Sequence, residues 1–278
     1  MKFYPAGETI TRRLLDLPQQ RMEWIVTGAE DVDLISAGFQ RHQSDETRFI
    51  HPGSGDIYQL ARHQYVDEAA GQLRYQCDQA VTVENELATR SMTILAMAGD
   101  GDDLIDPFDG GEDLIDGVLR HVTPTFEWLP QNLLQVAVWA ARLADLGFCV
   151  APATSDLMKK MVARGAIEQI PPHQISDAVI QVMASPRPSA FFRVLHRCGA
   201  LQVLSIELDT LFEQHSKSDS GNGPPEVENS LPDAMQSLDQ AAAETANISS
   251  VMKKFYLALG DKADKIFNAF GLNGLMRA

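Results

Sequence analysis

The densest group of potential metal ligands in the sequence is an acidic stretch between positions 102 and 116. Carboxylates that repeat along a short loop are the ligands that Ca²⁺ prefers. An EF-hand loop requires Asp-x-Asp-x-Asp-Gly followed by Glu at the twelfth position, and this stretch does not follow that spacing. We therefore expect these side chains to serve turns and helix caps. They are Asp102, Asp103, Asp106, Asp109, Glu112, Asp113 and Asp116.

The cysteines and histidines do not have the spacing of a metal site. Cys77, Cys149 and Cys198 lie far apart and include no Cys-x-x-Cys pair, so neither a thiolate zinc site nor a disulfide framework is indicated. Three buried thiols in a reducing compartment are the expectation. The histidines are expected to form hydrogen bonds within the fold. Those considered are His51, His121 and His196.

Composition limits the functional classes. The chain has 278 residues, is 45% apolar and carries a formal charge of −15, which indicates one or two globular domains and excludes a disulfide miniprotein or a wholly disordered chain. The acidic balance disfavours a broad nucleic-acid interface, because phosphate binding needs clustered Lys and Arg. Gly7 and Glu8 interrupt the N-terminus before an apolar segment develops. We expect a cytoplasmic protein without a membrane span.

The elements that must position any site fall into four predicted parts. Residues 1–122 mix short β-like runs with helices, and residues 123–213 repeat apolar side chains at helical spacing. Residues 214–233 are rich in Ser, Gly and Pro and are predicted to be a flexible linker, followed by helices in 234–278. The predicted strands include 24–26, 48–50, 57–60 and 80–83; the later helices include 154–163, 174–183, 190–198, 204–212, 235–259 and 261–276.

The C-terminal helices are amphipathic and have a charge opposite to that of the body. Residues 248–278 carry a formal charge of +3, with apolar side chains on one side. Such a helix can bind an acidic partner or an anionic membrane surface. It can equally pack on its own acidic body, which is what we expect, because amphipathic helices mostly serve a core. Docking of an unknown protein partner, or self-association, through residues 248–276 stays open.

Several ordered segments resemble the head and neck of bacterial tRNA nucleotidyltransferases, the CCA-adding family that includes poly(A) polymerases. The resemblance implies an α+β fold: a nucleotidyltransferase-like mixed-sheet head, an all-helical neck and, here, a C-terminal helical tail. No counterpart of the family's tRNA-gripping body is expected after about residue 213. The matching segments are Met1–Tyr4 with Gly7, Leu14–Pro18, Trp24–Ala29, Phe49–Pro52, Tyr58–Arg62, Ile105–Gly110, Leu119–Val122, Ala140–Arg142, Leu146–Phe148 and Phe191–Leu201.

The chain departs from this family where the family does its chemistry. Nucleotidyl transfer uses two carboxylates one residue apart on a strand, both facing the two metal ions. The family's Asp-x-Asp is Arg21-Met22-Glu23 in this chain. Glu23 retains one carboxylate, whereas Arg21 places a permanent cation at the other position. A two-metal site is therefore not expected.

The phosphate-binding motifs are also reduced. The family's Gly-Gly-x-x-Arg-Asp loop is represented by Gly7 followed by Glu8, with Thr11 at the arginine position and Arg12 beside it. The added carboxylate at Glu8 repels phosphate. The family's Arg-Arg-Asp motif retains only Arg90. The resemblance thus leaves Gly7, Arg12 and Arg90 as remnants of nucleotide binding.

In the neck, the family reads the incoming base with Glu-Asp-Pro-x-Arg on a helix. The corresponding residues are 128–132, in which Leu129 and Asn132 replace the charged pair and only the proline survives. Arg142, further along the same helix, is the one arginine retained. The resemblance therefore gives Arg142 as a fourth nucleotide-binding remnant.

Three functions are compatible with this pattern. The first is a catalytically degenerate nucleotidyltransferase-like protein that acts as a binding or regulatory module. The second is an active enzyme that adds CTP or ATP to RNA 3′ ends with one metal ion, held by Glu23 and Asp56; only this function implies Mg²⁺ and CTP or ATP as cofactors. The third is an RNA-end binder without chemistry, which the formal charge of −12 over residues 1–210 disfavours.

Overall fold

The computed structural model describes residues 1–278 except 20, 44, 68, 219–230 and 273–278, and it describes no side chain for 216–218. The described chain divides into two compact units, Met1–Trp128 and Leu129–Ala278, called the first unit and the second unit below. The sequence placed the first boundary at 122/123. Residues 123–128 instead pack with the first unit, where Thr125 accepts a hydrogen bond from Gln64 and Phe126 is buried beside His121.

The first unit is built on a mixed five-stranded sheet. Its strands are β1 (Lys2–Pro5), β2 (Glu23–Thr27), β3 (Gln40–His42), β4 (Asp45–Ile50) and β5 (Ile57–Leu60), in the spatial order β1-β2-β5-β4-β3. Only β2 and β5 are parallel; the other neighbours are antiparallel. Successive side chains of a strand point to opposite faces, so Ile25 and Val26 enter two different apolar clusters.

Helices and two hairpins complete the first unit around this sheet. The β-like run 80–83 is not a strand, because Thr82 caps a helix that starts at Val83. The Thr82 hydroxyl accepts the backbone N–H of Asn85, and the Asn85 side-chain oxygen accepts the backbone N–H of Thr82. The remaining elements are α1 (Glu8–Leu14), α2 (Asp31–Ser36), β6 (His63–Asp67), β7 (Gln72–Gln76), α3 (Val83–Leu87), β8 (Ala98–Asp100), β9 (Asp103–Ile105), α4 (Gly110–Asp116) and β10 (Val118–Leu119).

The second unit is almost entirely helical. The expected helical character is confirmed, and the unit also contains a two-residue strand, β11 (Cys149–Val150), which follows the turn at Gly147. The helices are α5 (Asn132–Arg142), α6 (Pro152–Ala163), α7 (Pro172–Val182), α8 (Ser189–Arg197), α9 (Ala200–Leu204), α10 (Ile206–Ser218), α11 (Asp233–Glu244), α12 (Ile248–Leu259) and α13 (Ala263–Ala269).

The C-terminal helices pack inside the second unit, as expected. On α8, the ring of Phe192 lies 5.8 Å from that of Phe255 and 5.7 Å from that of Phe270, and all three side chains are buried. The apolar side of the tail is thus already covered by its own chain, so docking of a partner on that side is not supported. Residues 219–230 of the predicted linker, and residues 273–278 with Arg277, lie outside the described residues.

The predicted single helix over 235–259 is two helices in the structure. α11 ends at Glu244, and Asn247 starts α12 by accepting the backbone N–H of Ser250 through its side chain. Within the described ranges, no helix combines the length and apolar character that crossing a bilayer requires.

Candidate functional site

Glu23 and Arg90 form an ion pair in the first unit. Glu23 is the first residue of β2, and Arg90 follows the end of α3; the Arg90 Nη1 donates to the Glu23 Oε1. Both side chains are largely buried, with 16% and 12% exposed. The retained carboxylate therefore has a guanidinium as its partner.

Gly7 lies directly against this pair. It precedes α1 with φ 59° and ψ −129°, a conformation that favours glycine. A Cβ on Gly7 would lie 2.5 Å from the Glu23 Oε2 and 3.4 Å from the Arg90 Nη1. The backbone N–H of Glu8 also donates to the Glu23 carboxylate. Three of the predicted residues, Gly7, Glu23 and Arg90, thus meet at one place, where the carboxylate fills the space above Gly7.

The ion pair continues into a chain of buried charges. Arg90 Nη2 lies 3.4 Å from the Oε1 of Glu86, whose side chain is fully buried. The Oε2 of Glu86 accepts the backbone N–H of Arg62 at 3.0 Å and lies 3.4 Å from the Arg62 Nε. Arg62 Nη1 reaches Asp45 Oδ2 at 3.2 Å. Below, "the charge chain" means these five residues: Glu23, Arg90, Glu86, Arg62 and Asp45.

The pKa values of the carboxylates reflect this arrangement. Burial raises the pKa of Glu23, but the charge and hydrogen bond of Arg90, the charge of Arg48 and the Glu8 N–H together hold it below its usual value. Glu86 is shifted the other way, because burial raises its pKa more than Arg62 and Arg90 lower it. At neutral pH Glu23 is therefore an ionised partner of Arg90.

The residues near Glu23 do not fit a divalent metal ion. Arg21 precedes β2 with an exposed side chain. The Asp56 carboxylate, proposed above as a second ligand, is used locally: its Oδ1 accepts the backbone N–H of Met22 at 3.1 Å and its Oδ2 accepts the Ser54 hydroxyl at 2.7 Å. Within the described part of the chain, no three His, Cys, Asp or Glu side chains are grouped so as to hold a metal.

The other two phosphate-loop positions have structural roles. Thr11 is fully buried, and its hydroxyl contacts the carbonyl oxygens of Gly7, at 3.1 Å, and of Ile94. Arg12 pairs with Glu8 one turn away, with an Nε–Oε1 distance of 2.7 Å, and its Nη1 donates to the carbonyl of Pro18. Arg12 is thus held by an acidic neighbour within its own helix.

The predicted neck residues belong to the second unit. Arg142 lies in the last turn of α5 with its guanidinium carbon 5.1 Å from the centroid of the Trp139 ring. Asn132 is buried at the first residue of the same helix. Arg142 belongs to the second unit, whereas Glu23, Gly7 and Arg90 belong to the first unit.

The interior part of the charge chain was not predicted from the sequence. Glu86, Arg62 and Asp45 received no role, although one signal was available: Glu86 precedes Arg90 by four residues, which is the spacing of an ion pair on a helix. No comparable signal joins Glu23 to Arg90, because 67 residues separate them.

The remaining predictions about titratable residues are confirmed in part. His196 Nδ1 lies 2.7 Å from Asp209, and His51 accepts the backbone N–H of Ser54, so these histidines bond within the fold. The three cysteines are not all buried: only Cys198 is, and burial raises its pKa to about 11. Cys77, which follows β7, and Cys149, the first residue of β11, are exposed.

Two residues of the acidic stretch have structural roles, and one of them, Asp106, serves the start of a helix as expected. Asp106 accepts the backbone N–H groups of Gly110 and Gly111 at 2.8 Å each, at the start of α4. Asp113 is buried, accepts the Thr93 hydroxyl and pairs with Arg120 at 2.9 Å.

The first unit is thus built on a mixed sheet with a carboxylate, Glu23, at the start of its second strand, and the second unit is almost entirely helical. Solved structures share this fold. One described as the CCA-adding enzyme in apo form II superposes with a TM-score of 0.66 at 16% identity, over 99% of this chain and 65% of that one. A tRNA-processing enzyme with CTP gives 0.66 at 17% identity, over 97% and 71%.

The resemblance to tRNA nucleotidyltransferases of the CCA-adding type is also present in the sequence. The Multifunctional CCA protein of Pseudomonas fluorescens (strain Pf0-1) is 37% identical over 229 residues, which are 80% of this chain and 56% of that protein. The chain thus spans little more than half the length of this relative. No protein-family model matches the chain.

These comparisons correct one expectation. The sequence indicated no counterpart in the family after about residue 213. An alignment that covers 99% of the chain has to include the C-terminal helices, so the shared fold extends through α11, α12 and α13. Sequence signals failed there because apolar helix packing tolerates many residue combinations at low identity.

Proposed function

We propose that this chain is a CCA-adding-enzyme-like protein that no longer transfers nucleotides and acts as a binding or regulatory module. One observation supports this most directly: the remaining carboxylate, Glu23, is ion-paired with Arg90 and lies over Gly7, where the resemblance places the phosphate-binding loop. A buried carboxylate that already has a guanidinium partner is a poor ligand for Mg²⁺, because breaking such a pair costs several kcal/mol, about 3–5 by analogy with other proteins.

The substituted positions support the same conclusion. Arg21 supplies a cation where a second metal ligand would be needed, and Arg12 is engaged by Glu8. Thr11 has no room around it for a longer cationic side chain, since it is fully buried. Metal binding and triphosphate binding are therefore both disfavoured, by different residues.

The decisive experiment is a nucleotide-incorporation assay. The purified protein is incubated with tRNA that lacks its 3′ end, labelled CTP or ATP, and Mg²⁺ or Mn²⁺, beside the Pseudomonas relative as a positive control. We expect no incorporation above background. Incorporation that Glu23→Gln abolishes would contradict the proposal and favour the active enzyme. Incorporation that survives Glu23→Gln would not come from this site.

Binding without chemistry is tested separately. One solved structure of similar fold, with a TM-score of 0.65 and 17% identity over 97% of this chain and 76% of that one, is described as a tRNA nucleotidyltransferase with a primer tRNA and an incoming ATP analog. For this chain we expect weak tRNA binding, because its formal charge is −15. Tight binding whose affinity falls steeply with added salt would favour the RNA-end binder.

Nucleotide entry is tested by thermal shift with CTP and ATP, each with Mg²⁺. A ligand that binds only the folded state raises the unfolding temperature. We expect no shift in the wild type. A shift that Arg90→Gln removes would show that nucleotide still enters at Gly7. A cytoplasmic location stays a prediction, to be checked by cell fractionation.

A further inference from the structure

A cavity in the second unit has a size and a lining that suit a small organic molecule. It has a volume of about 450 Å³ and is enclosed by α5, α6, α8 and residues 144–150. Ala140, Ala144, Phe148 and Met158 supply an apolar wall. Ligand cavities in proteins commonly measure about 300–1,000 Å³ and are mostly apolar with a few polar groups. The polar groups of the lining therefore decide which ligand this cavity fits.

Arg193, on α8, supplies hydrogen-bond donors to the lining of this cavity. Its side chain is half-buried, and burial is the largest cause of the lowered pKa of its guanidinium. Among the residues that the structure describes, none accepts a hydrogen bond from it. A half-buried donor without an acceptor loses part of its contact with water and gains no hydrogen bond in return. An acceptor that a ligand supplies is therefore favourable at this place.

A negative charge already lies near Arg193. The Asp239 carboxylate on α11 raises the pKa of Arg193, against the opposite effect of the neighbouring arginines, of which Arg187 is paired with Asp145. Ser189 holds the Asp239 carboxylate in place by donating to one oxygen from its backbone N–H, at 2.9 Å, and to the other from its hydroxyl, at 2.6 Å. Asp239 thus offsets the charge of Arg193 without accepting a hydrogen bond from it. The cavity therefore favours a neutral hydrogen-bond acceptor over an anion.

We propose that this cavity binds a small neutral molecule that combines an aromatic ring with a carboxamide. The amide oxygen accepts a hydrogen bond from Arg193, and the ring lies against Phe148 and Met158. The amide N–H group donates to the hydroxyl of Ser155, which is on α6 and also lines the cavity. Arg197, another residue of the lining, has no role in this binding mode. The site is independent of the charge chain and of the proposed loss of nucleotidyl transfer.

The test is a ligand-observed NMR titration of the full chain at pH 8 with benzamide, which carries both features in one small probe. Toluene lacks the amide, and benzoate replaces it with an anion. We expect benzamide to bind more tightly than either. Arg193→Met removes the donors and should weaken benzamide binding about tenfold without changing toluene binding. Ala144→Leu, which fills the cavity, should weaken both. Lys160→Met removes an exposed cation of α6 and should change neither.

Several results would overturn the proposal. They are no binding of benzamide at millimolar concentration, binding of toluene or benzoate as tight as that of benzamide, no effect of Ala144→Leu, and an equal effect of Arg193→Met and Lys160→Met. Circular dichroism checks that each variant is folded. If Arg193→Met fails to fold, Ser155→Ala replaces it, because it removes the second hydrogen bond with little change in packing. It should weaken benzamide binding and leave toluene binding unchanged, and an unchanged affinity for benzamide would contradict the proposal.

Discussion

The two units are stabilised in different ways. The interior of the first unit contains the charge chain, in which fully buried Glu86 lies between two guanidinium groups. In the second unit, a cluster of aromatic rings on α8, α12 and α13 holds the C-terminal helices. Buried charges stabilise only while every partner is present and correctly protonated, whereas apolar packing does not depend on protonation.

This difference bears on the charged residues beside Gly7. A charged side chain is costly to bury alone, so a buried charge requires a partner within the chain. Glu23 and Arg90 are such partners of each other. Under the proposed loss of nucleotidyl transfer, groups that would face a ligand in an active enzyme instead serve the structure of the first unit.

The largest effect is expected in the second unit, from Phe192→Ala. Phe192 is fully buried and contacts the rings of Phe191, Phe255 and Phe270. Its truncation leaves a cavity and should lower the free energy of unfolding by about 4 kcal/mol. Urea unfolding at pH 5 and pH 8 should give the same loss, because no charge is involved. Leu257→Ala, at a position 70% exposed, is the control and should have little effect.

A somewhat smaller loss of stability is expected for Glu23→Gln. Unlike the loss in Phe192→Ala, it should depend on pH. Removing one partner of this pair should cost roughly 3 kcal/mol at pH 7. The folded-state pKa of Glu23 lies below the ordinary value of 4.5, so its stabilising contribution is present above pH 4.5 and is lost as the pH falls through the folded-state pKa. Urea unfolding from pH 7 to pH 3 should show the difference between variant and wild type shrinking.

The control for that series is Glu46→Gln, an exposed carboxylate on β4. It should change stability little at any pH. A loss at Glu23→Gln that is constant from pH 7 to pH 3 would contradict the ion-pair interpretation.

Gly7→Ala should cost about 2 kcal/mol. The backbone conformation at Gly7 is unfavourable for any residue with a Cβ, and that Cβ would push against the Glu23 carboxylate. Gly38→Ala is a matched control, because Gly38 also has positive φ, 91°, but a Cβ there meets nothing within 4 Å. In a Glu23→Ala background the cost of Gly7→Ala should fall toward that of Gly38→Ala. An unchanged cost would show that the two residues do not interact.

The smallest losses of stability are expected from replacing a helix cap, and they should be equal in the two units. Thr82 caps α3 in the first unit and Asn247 caps α12 in the second, each by accepting one backbone N–H. Replacing either by Ala should cost about 1 kcal/mol, with no dependence on pH between 5 and 8. Thermal unfolding of the two variants checks this; a cap variant as destabilised as Glu23→Gln would remove the contrast between the units.

Local patterns predicted most of the elements. The apolar runs at 24–26, 48–50 and 57–60 became β2, β4 and β5, and the spacing of Leu133, Val136 and Ala140 became α5. The element predictions that failed did so because a single polar residue that caps a helix outweighs the pattern of apolar residues around it. Thr82 and Asn247 each start a helix, the first inside a β-like run and the second inside a continuous amphipathic pattern.

The site was less predictable than the fold. The sequence identified Gly7, Glu23 and Arg90, but their meeting depends on how β2 and α3 pack, which residue spacing does not encode. The network beyond them could not be inferred because Arg62 and Asp45 are 17 residues apart, with Asp45 on β4 and Arg62 between β5 and β6.

The buried hydroxyl of Thr11 also bears on the history of this chain. Its side chain sits in a fully enclosed position, bonded to the carbonyl of Ile94. An arginine there would force a long charged group into that space, which is costly unless a partner is buried with it. If nucleotidyl transfer has been lost as proposed, the packing around Thr11 makes that loss hard to undo by a single substitution.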